Sequence, residues 1–206
     1  MNNLCVGFPP SVDDACRVLV LGSMPSVKSL AEQQYYAHPQ NRFWPMMTKI
    51  LTGSDVPPVD YHKRLRMLLD HHIALWDAIA SCQRDGSLDS AIHDERGNDF
   101  AAFLTQWPNI KTILCNGGKS FQCFKRYNKA LLSRDDLTIQ QMPSTSPANA
   151  RWRLGDLVEV WKKALLQTTP PPLGEVALKG SDKQTHGALA PMWSLMPLAA
   201  KDPLHV

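Results

Sequence analysis

The 206-residue chain contains no apolar run near the roughly 20 residues that a membrane-spanning helix needs, so a membrane role is not expected. Its opening stretch, MNNLCVGFPPSVDDAC, lacks the basic and apolar regions of a secretory signal, which makes the cytoplasm the expected location. Five cysteines occur (Cys5, Cys16, Cys82, Cys115 and Cys123), an odd number with no C-x-x-C pair. That argues against a disulfide framework, a zinc ribbon or an iron–sulfur run and for reduced, packed thiols. No GxSxG, HExxH or HxE…PCxxC motif is present, which removes esterase, zincin and deaminase readings. The segment NGGKS invites comparison with a phosphate-binding loop, but the required first glycine is replaced by Ile113. The first strand is not followed by G-x-G-x-x-G, which counts against dinucleotide binding. The acidic pairs Asp13–Asp14, Asp94–Glu95 and Asp135–Asp136 read as loop charges rather than as a metal-nuclease cluster.

What remains is an ordinary globular composition, 44% hydrophobic and 20% charged, in a chain long enough for one domain with a real core. The net charge is +3, and residues 168–206 sum to zero, so the whole excess falls in residues 1–167. This mild basicity is compatible with a nucleic-acid partner without requiring one. From Thr168 the chain carries six prolines and loses clear periodicity. The expected organisation is a domain over 1–167 and a flexible tail over 168–206.

RVLVLG (17–22), IALWDAI (73–79), IKTILCNGG (110–118) and LTIQQM (137–142) read as strands, the first and third running into glycine. Helices are expected over 41–53, stopped by Gly53, over 60–72, after a cap at Asn98–Asp99, over 119–132, and from about Arg151 to Leu166. Strands separated by helices imply parallel pairing with helices on both faces. Such sheets bind ligands outside the carboxyl ends of their strands. Three loops follow strands in that position: GSMPS (22–26), NGGKS (116–120) and PSTSPAN (143–149).

Each of these segments has a plain reading beside a functional one. GSMPS is either a simple turn or a loop whose amides, with Gly22, Ser23 and Met24, face a base edge. In YYAHPQNRFW (35–44), the tyrosines offer a stacking face, Asn41 is a fair helix cap, and His38 reads more as a structural hydrogen-bonder than as a catalyst. Asn116, at a strand end, presents donor and acceptor together and can read a base bidentately. Lys119, near a helix start, suits a phosphate. PSTSPAN caps the last helix or grips DNA phosphates through its hydroxyls, with Arg151 and Arg153 following.

Taken together and in order, GSMPS, YYAHPQNRFW, ALWDAI, LCNGGKSF and PSTSPANA resemble the uracil-DNA glycosylase superfamily over roughly residues 15–167. The chain looks most like the branch acting on hypoxanthine, through SLDSAI and the hydroxyl-rich last loop. The resemblance implies a three-layer α/β/α sandwich around a short, mostly parallel sheet, no metal or organic cofactor, and a monomer acting on DNA that contains a deaminated base. It implies base excision repair by flipping the damaged nucleotide out of the helix. Two positions depart from most relatives. Ser23 stands where they carry an Asp or Asn that activates water, and Ser144 where uracil-specific members carry His. Uracil excision is therefore expected to be weak, and the matching catalytic amide is Asn41.

The resulting expectation is a monofunctional glycosylase that hydrolyses the N-glycosidic bond of deoxyinosine. Asn41 positions water, Asn116 and the 22–24 backbone hold the base, Tyr36 stacks on it, and Ser144, Thr145, Ser146, Lys119 and Arg151 meet the DNA backbone. Ala148 lies where relatives place a wedge. A uracil, xanthine or mismatch glycosylase of the same fold is the alternative, and a non-catalytic damaged-DNA-binding module is the reading from a different class.

Overall fold

A computed structural model describes residues 4–168. Apart from Thr168, the last residue of the final helix, the expected tail lies outside the described residues.

The four expected strands form a parallel sheet, β2 (Val18–Gly22), β3 (Ile73–Asp77), β6 (Thr112–Asn116) and β7 (Thr138–Met142), in the order β3-β2-β6-β7. The register sets Gly22 beside Asp77 and Cys115 beside Leu21, so the strands end level and their loops emerge along one edge. Side chains alternate between the faces of a strand, and the core divides accordingly. Leu19 and Leu21 of β2 pack with Phe100, Phe103 and Phe124 in one cluster, and Val18 and Val20 with Phe43, Trp44 and Trp161 in the other. The first cluster belongs to α4 (Phe100–Gln106) and α5 (Gly118–Tyr127), and the second to α2 (Phe43–Thr52), α3 (Tyr61–Asp70) and α6 (Leu154–Thr168). The three-layer α/β/α expectation holds.

Two caps are those the sequence proposes, whereas α2 starts after Arg42 rather than Asn41. Asp99 accepts the Ala102 N–H at the start of α4, and Gly53 closes α2 with φ of +74°. Pro45 falls in the first turn of α2, where its missing N–H has no intrahelical partner to lose. The cysteines are free thiols, all but Cys5 buried.

Two differences matter for the site. The run IALWDAI is not one strand: the chain breaks at Ala78, β3 ends at Asp77, and β4 (Ile79–Gln83) joins a second sheet. That sheet, antiparallel in the order β1-β4-β5, adds β1 (Leu4–Val6) and β5 (His93–Gly97), which the sequence does not announce. Both are short and largely exposed, so neither carries the apolar run that marks a buried strand. The helix expected over 119–132 likewise stops at Tyr127 and continues as a 3-10 turn over Lys129–Ser133.

Candidate active site

A cleft of about 470 Å³ opens at the carboxyl edge of the parallel sheet. All three motif loops reach it. Gly22, Ser23 and Met24 come from the first, Asn116 from the end of β6, and Ser144, Thr145, Ser146 and Ala148 from the last. Tyr36, His38 and Asn41 complete that side. The α1 helix (Val27–Glu32) begins behind the first loop, capped by Ser26.

Gly22 is required by close approach: a Cβ there would lie 2.2 Å from Asp77 Oδ1 and 3.2 Å from the Tyr36 hydroxyl. Gly117 turns the chain after β6 with φ of +106°, packed against Ser144. Tyr36 itself adopts φ of +54°, a left-handed conformation unusual for a bulky residue and of the kind found at functional sites. Its ring stacks on Phe43 at 3.9 Å, which fixes its orientation at the cleft.

One hydrogen-bonded chain links these side chains, and backbone donors fix its direction. The Phe43 N–H donates to Asn41 Oδ1 (3.0 Å), and the Thr145 N–H to Asn116 Oδ1 (2.9 Å). Because an N–H only donates, the facing amide atoms are oxygens. Asn116 Nδ2 therefore donates to Thr145 Oγ1 (2.9 Å) and to the Tyr36 hydroxyl (3.1 Å). The Thr145 hydroxyl hydrogen then goes to Asn41 Oδ1 (3.0 Å). The acceptor lone pairs of Asn41 are thus filled, while its Nδ2 donates to no described residue, and the Tyr36 hydroxyl keeps its own hydrogen. The unused capacity that Asn41 and Tyr36 bring to the cleft is donor capacity.

This arrangement revises several expectations. Bidentate base reading by Asn116 requires a free N–H, and both are engaged inside the protein. Thr145 is fully buried, so its hydroxyl orients the two asparagines rather than meeting a phosphate. Lys119 does not line the cleft: its ammonium pairs with Glu95, which Arg126 also contacts at 2.7 Å. Arg151 lies exposed just beyond the loop. Ser144 and Ser146 accept local backbone N–H bonds and retain their hydroxyl hydrogens. His38 makes the local bond expected of it, accepting the Gln40 N–H through Nδ1. The hydroxyl of Ser23 donates to Asp89 at 2.8 Å.

Three residues escape the sequence reading. Arg42 donates to the carbonyls of Thr145 and Asn149 and, through short bonds, of Ser146 and Trp152, tying the last loop to the start of α2. An arginine at a helix start gives no local hint of four partners a hundred residues away. Asp77 is 3% exposed, lines the cleft, and has no hydrogen-bond partner for Oδ2 among the described residues. Burial, reinforced by the negative charge of Asp89 and partly offset by Arg84, pushes its carboxyl up to about 8. Its signal was a carboxylate inside an otherwise apolar strand run. Leu88 is the third, 63% exposed at the cleft, with its neighbours pinned by the Ser87 and Asp89 side chains to Val27 and Ser23.

A family model described as the uracil DNA glycosylase superfamily matches residues 9–165. The chain is similar to a Methanosarcina barkeri (strain Fusaro / DSM 804) protein named hypoxanthine DNA glycosylase, 40% identical over 114 residues, or 55% of this chain and 72% of the relative. It is also similar to a Methanosarcina acetivorans protein of the same name, 36% identical over 146 residues, or 71% and 89%. Among solved structures, the solution NMR structure of a candidate uracil DNA glycosylase from Methanosarcina acetivorans superposes with a TM-score of 0.67 at 33% identity, covering 80% of this chain and 98% of that one.

Proposed function

The chain belongs to the uracil DNA glycosylase superfamily, and from that premise we propose that it hydrolyses the N-glycosidic bond of deoxyinosine in DNA, releasing hypoxanthine and leaving an abasic site. The observation that carries this reading is the donor character of the cleft. Hypoxanthine offers N3, N7 and O6 as acceptors, and negative charge develops on the purine as the bond to the sugar loosens. Preorganised donors aimed at developing charge are the main catalytic resource of such a site.

In this reading the nucleotide flips into the cleft, at a cost of a few kcal/mol that is lower for a poorly paired base. Tyr36, backed by Phe43, stacks on the purine. Asn41 Nδ2 orients the attacking water beside C1′. With both acceptor lone pairs filled, Asn41 places the water without deprotonating it, which suffices for an oxocarbenium-like sugar. Asn116 acts as a positioning residue, holding the Tyr36 hydroxyl and, through Thr145, Asn41. The Gly22–Met24 backbone closes on the base. Ser144, Ser146 and Arg151 contact phosphates, and Leu88, larger than Ala148, fills the gap left in the base stack. Ser23 is engaged with Asp89 and Ser144 replaces the histidine of uracil-specific members, which favours hypoxanthine over uracil.

The test uses end-labelled duplexes with one deoxyinosine, deoxyuridine or deoxyxanthosine, incubated with the full chain and a metal chelator and then treated with hot alkali. Alkali-dependent breakage of the inosine strand alone is expected. Breakage of the uridine strand instead would overturn the base preference, and no breakage of any strand would return the protein to a binding role.

A further inference from the structure

Asp77 closes β3 against Gly22, where any side chain on the glycine would strike its Oδ1. The carboxyl faces the cleft, yet Oδ2 receives no hydrogen bond from any described residue. Arg84, whose charge acts on it, forms no ion pair with it: Nη2 donates to the Pro25 carbonyl, and Nε and Nη1 have no partner among the described residues. A buried carboxylate without donors is unfavourable by several kcal/mol, and such groups commonly resolve the penalty by keeping the proton. Burial pushes the Asp77 carboxyl up to about 8, so it holds its proton at far higher pH than an ordinary carboxyl.

The reaction proposed above calls for such a group. Asn41 and Tyr36 donate hydrogen bonds but cannot transfer a proton near neutrality: a carboxamide does not ionise there, and burial raises the Tyr36 phenol well above its ordinary range. Resting on that reading, we propose that Asp77 is the general acid that protonates the departing purine. The C1′–N9 bond breaks and its electron pair passes to the base. The Asp77 O–H bond breaks, its pair stays on the carboxyl oxygen, and the proton joins an acceptor nitrogen of the base, which leaves as neutral hypoxanthine. Water adds to C1′, and the proton it releases restores the acid. The transient carboxylate stands in the field of Arg84 and of the cationic sugar.

The groups bearing on Asp77 are Asp89 and Arg84 from the segment after β4, the phenols of Tyr35, Tyr36 and Tyr61, and His38 on the same cleft. The test is therefore a single-turnover pH profile of hypoxanthine release by the full chain, with Asp77→Asn, Asp77→Ala and His38→Gln alongside. The wild-type rate should fall tenfold per pH unit above about 8, and the fall should persist in His38→Gln. Asp77→Asn keeps the shape and a donor but no transferable proton. It should lose that limb and drop the rate at pH 7 by about 100-fold or more. An infrared band of a protonated carboxyl at pH 7, missing from Asp77→Asn, is expected independently of turnover. Near-normal rates in Asp77→Asn, a wild-type rate that climbs through pH 8, or no such band would overturn the acid role while leaving deoxyinosine hydrolysis standing. A wild type that releases no hypoxanthine at any pH would overturn the reaction and the acid role together.

Discussion

The two walls of the cleft are built on opposite principles. On the side of α2 and the 143–149 loop, the side chains of Asn41, Asn116 and Thr145 are interlocked, and Arg42 fastens the loop by its carbonyls. On the side of β3 and the segment after β4, Asp77 and Arg84 are buried with polar atoms that no described residue satisfies. A satisfied network holds geometry, and its value lies in orientation. An unsatisfied buried acid is a stability liability, tolerated where chemistry uses it. In the proposed reaction one wall positions the nucleotide and the water, and the other supplies the proton.

That division is open to direct attack. The largest effect is expected at Asn41, whose free N–H group faces the reaction: Asn41→Ala should lower single-turnover release of hypoxanthine by about 10²–10³ with the fold intact, and a loss below about tenfold would remove it from the reacting geometry. Arg42→Ala should combine a drop in rate with a stability loss of about 2–4 kcal/mol in urea unfolding, because charge-assisted bonds to several carbonyls disappear together. Tyr36→Phe and Asn116→Ala should be non-additive, the double variant little worse than Asn116→Ala, since both break the same chain; additive losses would mean independent roles. Asp77→Asn should do the opposite of a network variant and raise Tm at neutral pH. A carboxyl whose pKa is raised on folding makes the folded state the better proton binder, so its favourable contribution is complete below the ordinary carboxylate range and lost as pH rises to about 8. The wild-type Tm should fall across that window relative to Asp77→Asn, and the two should converge near pH 4; parallel profiles would mean an ionised Asp77. Leu88→Ala should have the smallest effect, a few-fold loss on duplex substrate and less on single strands, where no stack needs filling.

The legible parts of the fold were those with local causes. Four apolar runs ending at one edge gave the parallel sheet, and Asp99 and Gly53 gave caps, because periodicity and capping are written within a few residues. The antiparallel sheet was not legible: β1 and β5 are exposed and short, and they exist because β4 lies between them. At the site, the residues that line the cleft were recognisable by type and order, but their bonding was not. Thr145 reads as a surface hydroxyl in PSTSPAN and is buried because Asn116 and Asn41 reach it from 29 and 104 residues away. Lys119 reads as a phosphate ligand at a helix start, yet the unannounced β5 delivers Glu95 to its ammonium. Asp77 was hidden inside an apparently continuous strand, and only the break at Ala78 reveals it as a strand end in the cleft.

The most direct measurement is chromatographic detection of free base from a deoxyinosine duplex incubated with excess enzyme. Hypoxanthine should appear in proportion to the inosine strand, the DNA backbone should stay continuous until alkali is added, and Asn41→Ala should release almost none on the same timescale. Strand breakage beside an intact inosine, or release of uracil but not hypoxanthine from matched duplexes, would contradict the proposed hydrolysis.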